Sequence, residues 1–218
     1  MLYENDLNDI KVKITNIGES LVLSNDLILE ALSDCNHDKF KKAKENLNNI
    51  GNKITDIDNE IIKVLALYSP EAKDLRQAVS YLKITNELLR ASTNTRSFIK
   101  GFTDVCSDVD INIISEYAIP MQKSTSKAIR YAINMLNIEC KDEIQDTYND
   151  VLIEESKTDD LYEMVQKSLF VLANESDDFE KFYNMLKALR KSEKIADRAT
   201  SIANLLLYIK IGGSLHQS

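Results

Sequence analysis

The sequence predicts an all-α chain made of two tandem three-helix bundles, six long antiparallel helices with an internal duplication. Three observations point there. The 218 residues hold only 5 Gly and 2 Pro, too few breakers for a β-sandwich or a doubly wound sheet. Apolar residues recur at intervals of three and four, and nowhere alternate in the manner of a strand. Each stripe runs for roughly 25 to 35 residues with short breaks between, the pattern of antiparallel neighbours in a bundle.

The first stripe is Leu7, Ile10, Ile14, Ile17, Leu21, Ile28 and Ala31, ending in the polar turn 33–38. The second runs from about 38 to 68 with Phe40, Ala43, Leu47, Ile50, Ile54, Ile57, Ile61, Val64 and Leu65. Ser69-Pro70 breaks it, since proline disfavours helix at the residue before it and suits the first turn of the next. Ser69, Pro70 and Glu71 then read as a cap, a first helical position and a favourable dipole charge. The third stripe is Ala72, Leu75, Val79, Leu82, Leu89 and Ile99, ending near Gly101. Residues 103–110 read as a connector. The fourth stripe carries Ile114, Ala118, Met121, Ala128, Ala132 and Met135, with Pro120 marking a kink or the true start of the helix. The fifth carries Ile144, Tyr148, Val151, Tyr162, Val165, Leu169 and Leu172. The sixth carries Phe182, Leu186, Leu189, Ala196, Ala203 and Leu207, and stops at Gly212-Gly213. The expected units are residues 1–105 and 106–218. Leu82 to Ala91 and Leu186 to Ile195 stand in the third helix of their respective halves, as a duplication requires.

A formal charge of −8, from 35 acidic and 27 basic residues, argues against nucleic acid as a partner. The first residues have no basic region followed by an apolar one, and no apolar run approaches the roughly 18 residues of a membrane span, so a cytoplasmic chain is expected. Cys35, Cys106 and Cys140 stand far apart and odd in number. That spacing favours packing residues in a reducing compartment over a disulfide framework. His37 and His216 fall at a helix end and in the tail, and there is no pair of Glu-x-x-His motifs, phosphate-binding loop or nucleophile elbow.

The informative positions are polar ones on apolar stripes. Glu155 interrupts the fifth stripe and Glu193 the sixth, and each has a second acid one turn on, Asp159 and Asp197. Residues i and i+4 share a helix face, so each helix projects two carboxylates the same way. Clustered carboxylates suit hard cations such as Mg²⁺, Mn²⁺, Ca²⁺ or iron. The alternative is a salt-bridged polar seam closed by Arg190, Lys194 and Arg198. The absence of a histidine base or a nucleophile there disfavours a metalloenzyme.

Three motifs resemble the PhoU family over nearly the whole chain. Pro70-x-Ala72-x-Asp74-Leu75-Arg76, followed by Leu82-Lys83-Ile84, is similar to that family's Pro-x-Ala-x-Asp-Leu-Arg and Leu-Lys-Ile. Glu193 to Ala203, trailed by Tyr208 and Gly212, is close to Glu-Arg-Ile-Gly-Asp-His-Ala-Thr-Asn-Ile-Ala. Glu155-x-x-x-Asp159-x-Leu161-Tyr162 is similar to Asp-x-x-Val-Asp-x-Leu-Tyr. The resemblance implies tandem three-helix bundles and a non-enzymatic negative regulator of the phosphate-starvation response. It further implies an adaptor between a phosphate ABC transporter ATPase and a sensor histidine kinase, near a membrane only through those partners, and a homodimer. It carries a metal site (Fe, Mn, Mg or Zn) onto Glu155, Asp159, Glu193 and Asp197, and a structural or partner role onto Asp74 and Arg76. In the first half the matching positions are Leu89 and Thr93, with Leu47 and Gly51 on the second helix, so that metal site is expected to be lost. Glu87, Asp56, Asp58 and Glu60 are acids nearby but out of register.

Overall fold

The computed structural model describes residues 2–70, 72–103, 105–106, 111–175 and 179–212. Among them there is no strand. The first half comprises α1 (Leu2–Leu32), α2 (His37–Glu45), α3 (Ile50–Tyr68) and α4 (Ala72–Thr103). The second opens with a single turn, α5 (Ile111–Ile113), and a π-helical turn at Ile114–Ala118. It continues with α6 (Ile119–Asn134), a 3-10 turn at Met135–Asn137, α7 (Lys141–Glu175) and α8 (Phe179–Ile211). With α2 and α3 taken as one interrupted helix, this is the tandem pair of three-helix bundles that the stripes predict. Part of the connector at 103–110, Glu71, Gly213 and His216 lie outside the described residues.

The bundles are not separate bodies. α4 lies along α8, and α1 along α6. Both apolar clusters draw on both halves: one gathers Ile14, Ile57, Ile84, Ile129 and Ile202, the other Phe40, Phe98, Phe102, Met121 and Leu189. At Gly18 on α1, a Cβ would lie 2.5 Å from the Ile133 side chain of α6, so that close crossing needs a glycine. A buried polar group fixes the register between halves. Gln122 donates to the Asn25 side chain (2.9 Å) and accepts from Ser192 (2.9 Å), whose hydroxyl also pairs with Thr125 (2.9 Å). Moving any of these helices would strand buried polar atoms.

The structure corrects four expectations. Ser69, expected to cap the next helix, instead ends α3 at φ 44°, its N–H donating to the Leu65 carbonyl at 3.2 Å, and α4 begins at Ala72. The helix over 38–68 is interrupted at residues 46–49, where Asn49 takes φ 61°. Asparagine tolerates the left-handed region, and three of those four residues are Asn, so local chemistry overrides the apolar stripe. The stripe assigned to α4 is on the wrong face: Leu75, Val79 and Leu89 are exposed, while Ala78, Tyr81, Ile84, Leu88, Ala91 and Phe98 are buried. α4 carries apolar residues on two faces, and the one that packs against α8 and the core is buried. Finally, Cys35 and Cys106 are joined by a disulfide, with Cα atoms 5.8 Å apart. The chain turns after α1 at Cys35, with φ 53°, and returns at the end of α4, so cysteines distant in sequence meet at one end of the bundle. Cys140 is free and exposed.

Pro120 falls in the first turn of α6, directly after the π-helical turn, so it marks the start of that helix. Asn36 caps α2 by accepting from the Lys39 N–H at 3.0 Å. α8 ends at Gly212, whose φ of +84° terminates it.

Candidate functional site

α7 and α8 pack side by side, and the four predicted acids lie on their facing sides. One carboxylate oxygen from each of Glu155, Asp159 and Asp197 falls within 4.8 Å of the other two. Among the described residues this is the one group of three or more potential metal ligands gathered so closely. Glu193 stands beside it, buried, and differs from the rest. Its Oε1 is bound by Arg190 at 2.9 Å and lies 3.5 Å from Lys194, while its Oε2 is buried with no hydrogen-bond partner. Lys194 also donates to Asp197 Oδ2 at 2.6 Å. Arg198 divides itself, 3.0 Å from Glu87 of α4 and 3.6 Å from Asp197.

The seam therefore concentrates more anions than it has cations to match. Burial, together with Asp159 and Asp197, raises the Glu155 pKa. Burial and Asp197 raise that of Asp159. Glu193 is raised by burial and Asp197 despite the opposing pull of Lys194 and Arg190. Desolvation and like charge both disfavour the ionised form, and neither is fully offset by the local cations. Such a group fits a hard cation on two grounds: every donor is a carboxylate oxygen, and a buried oxygen of Glu193 has no partner.

The sequence missed the acid that occupies the core register of α7. That residue is Glu154, buried at 6% exposure, where the stripe placed Glu155. Glu154 is held by Lys157 at 2.9 Å and Lys127 of α6 at 3.5 Å. Burial pushes its pKa up, but hydrogen bonds from Lys157 and Ser124 with the nearby Lys127 more than offset that, leaving it below the ordinary value. It is a structural tie between α6 and α7. The signal lay in Val151, Glu154, Thr158 and Val165, which continue the buried face at three, four and seven.

Asp74 and Arg76 do not join the acidic seam. They lie at the other end of α8. The Tyr3 hydroxyl donates to the Asp74 carbonyl at 2.9 Å. The Arg76 guanidinium stacks over the Tyr208 ring at 5.0 Å. A Cβ on Gly212 would come within 2.8 Å of Arg76 Nη1, so the glycine both ends α8 and leaves room for the arginine. Arg76 clamps the start of α4 to the end of α8, and the Asp74 carbonyl ties it to the start of α1.

In the first half, Leu47 is buried, and Gly51, Leu89 and Thr93 face solvent. The Thr93 hydroxyl donates to the Leu89 carbonyl at 2.9 Å, closing on its own helix. Three of the four nearby acids have partners of their own: Asp58 accepts from Thr85 at 2.6 Å, Glu60 pairs with Lys13 at 2.5 Å, and Glu87 pairs with Arg198.

The sequence profile of the PhoU domain matches residues 14–98 and again 118–206, well over half of the chain. A protein named phosphate-specific transport system accessory protein PhoU homolog 1, from Methanothermobacter thermautotrophicus, is 22% identical over 96% of this chain and 94% of its own length. The corresponding homolog 2 from Thermotoga maritima is 26% identical over 72% of this chain and 65% of its own length. Among solved structures, PhoU from Pseudomonas aeruginosa superposes with a TM-score of 0.85 at 20% identity, covering 97% of this chain and 100% of that one. The phosphate transport system regulatory protein PhoU from Streptococcus pneumoniae gives 0.80 at 16% identity, covering 97% and 98%. Among the described residues no helix is long and apolar enough to cross a membrane. With the profile matched once in each half and the same architecture in both solved relatives, the chain belongs to the PhoU family.

Proposed function

We propose that this protein is a non-enzymatic regulator of phosphate uptake and of the phosphate-starvation response, acting in the cytoplasm as an adaptor between a phosphate ABC transporter ATPase and a sensor histidine kinase. The double PhoU match and the transport-system names of its relatives support this role. A carboxylate metal site in the second half belongs to the same reading. The observation that carries it is the approach of Glu155, Asp159 and Asp197 within 4.8 Å of one another, beside a buried unpartnered oxygen of Glu193. These four residues would hold the ion. With only oxygen donors present, Mg²⁺, Mn²⁺ or iron suits the group better than Zn²⁺, which favours nitrogen and sulfur. A bound cation supplies charge neutralisation there. Glu155 and Asp159 bring α7 to it, Glu193 and Asp197 bring α8, and together they pin the hairpin.

A second reading has its own observation. Lys194 at 2.6 Å from Asp197 and Arg190 at 2.9 Å from Glu193 already supply cations, as a metal-free interaction module would use them. Metal analysis of the purified chain beside a Glu193→Ala/Asp197→Ala variant separates the two. Metal that copurifies with the native chain alone supports the site. No metal, with a melting temperature indifferent to Mg²⁺, Mn²⁺ and Fe²⁺, leaves the salt-bridged seam. The regulatory role is tested by deleting the gene and assaying the starvation response, and by capture with the transporter ATPase and the kinase. A response unchanged at high and low phosphate counts against it.

A further inference from the structure

A cavity of about 460 Å³ opens at the end of the bundle where α1, α4 and α7 begin and α8 ends. In a chain of formal charge −8, its wall carries Lys11, Lys73, Lys141 and Lys210. The first turns of three helices line it, through Tyr3 of α1, Lys73 of α4 and Lys141 of α7. Helix N-termini add partial positive charge to that of the ammonium groups.

The clearest sign of what this wall binds is Glu139, on the loop before α7. Lys210 donates to its Oε2 at 2.6 Å, Lys11 lies 3.9 Å from its Oε1, and Lys73 adds to the field that holds it ionised. Cations from α1, α4 and α8 thus converge on one carboxylate. That carboxylate is 76% exposed, on a surface loop, so it is held by charge and not by packing. Gln77 and Tyr81, joined by a 2.9 Å hydrogen bond, add neutral polar groups to the same wall. Glu4 and Asp74 also stand there, so a singly charged anion gains little over Glu139. With Glu139 displaced, four lysines face only Glu4 and Asp74, and a ligand with two or more negative charges takes up the remaining positive charge.

We propose that this cavity binds a small multivalent oxyanion, held by Lys11, Lys73, Lys141 and Lys210, with Glu139 as a tethered competitor that leaves when the ligand enters. The site is independent of the acidic seam. Lys210 lies about 13 residues beyond Asp197 on the same helix, roughly 20 Å at the α-helical rise. Phosphoryl and carboxylate groups share the required chemistry, and the probes separate them.

Titration calorimetry of the full chain at low ionic strength, with pyrophosphate, ATP and citrate in turn, tests the site against sodium chloride of equal ionic strength. Saturable binding of at least one probe is expected. It should tighten about threefold or more in Glu139→Gln, which frees the lysines. It should weaken by a similar or larger factor in Lys73→Gln/Lys141→Gln, whose positions are exposed and whose fold a thermal melt verifies. Pyrophosphate or ATP binding without citrate supports a phosphoryl ligand; equal binding of citrate supports recognition of charge alone. The proposal is overturned if no probe binds at millimolar concentration to either the native chain or Glu139→Gln. It is also overturned if binding is the same in the lysine variant.

Discussion

In the first half, a covalent bond between Cys35 and Cys106 joins the end of α1 to the end of α4. Three acids of that half near the matching positions each have a partner, Asp58 with Thr85, Glu60 with Lys13 and Glu87 with Arg198. In the second half no such bond is present among the described residues, and α7 meets α8 across four carboxylates answered chiefly by Arg190 and Lys194. The same helical scaffold thus tolerates two opposite seams. Leu89 and Thr93, at the positions where the resemblance expects acids, face solvent and bring no charge to that face. Where Glu193 and Asp197 remain, burial raises the cost of charge and leaves the hairpin dependent on cations.

The largest expected effect tests the covalent side. Cross-linking residues 71 apart constrains the unfolded chain by about 4 kcal/mol in the chain-entropy account. Cys35→Ser/Cys106→Ser, or reductant on the native chain, should therefore lower the melting temperature by roughly 8 to 16 °C in a chain of this size. Calorimetry that finds no shift removes the staple from the comparison.

The next tests the ionic side. A divalent cation at a hundredfold excess over its dissociation constant adds about 2.7 kcal/mol by mass action. Asp159→Asn/Asp197→Asn should abolish that gain in a thermal shift assay while raising the stability of the metal-free chain. Leu89→Glu/Thr93→Asp should create no metal response in the first half, because Leu47 and Gly51 offer no carboxylate in return. A response there would show that one helix suffices, and would break the contrast.

Smaller effects are expected where the halves meet. Arg76→Ala loses the stack on Tyr208, and Gly212→Ala forces a side chain into φ +84° against Arg76. Each should cost about 1 kcal/mol, read from denaturant midpoints. Stability unchanged in both variants would mean that the clamp is incidental.

The smallest is a titration. Burial, then Asp74 and Tyr81, push the Tyr3 hydroxyl up to about 12 from 10.0. The unfolded chain ionises first, so the contribution of neutral Tyr3 is full below pH 10.0 and is lost as pH rises through about 12. Alkaline absorbance titration should show a late tyrosine component that falls by one residue in Tyr3→Phe, beside Tyr68, Tyr81, Tyr148 and Tyr162, which are raised as well.

The stripes of α1 and α6 were legible because their apolar residues are buried as spaced, and helical periodicity is a local property. The pairing of Glu155 with Asp159 and of Glu193 with Asp197 was legible for the same reason: one turn of helix fixes which side chains share a face. The exposed face of α4 was misread because it is apolar on two sides, and nothing within the helix says which one α8 covers. Glu154 was missed because a one-residue change of phase moves a carboxylate from seam to core.

By itself, the sequence determined the helices, their tandem order and the four acids of the second half, since hydrogen bonding and side-chain spacing in a helix act over one or two turns. Only the tertiary structure decided that Cys35 meets Cys106, that Arg76 rests on Tyr208, and that lysines from three helices surround Glu139. Those contacts join residues some seventy or more positions apart, and they exist because α1 and α4 end together at one end of the bundle and begin beside the end of α8 at the other.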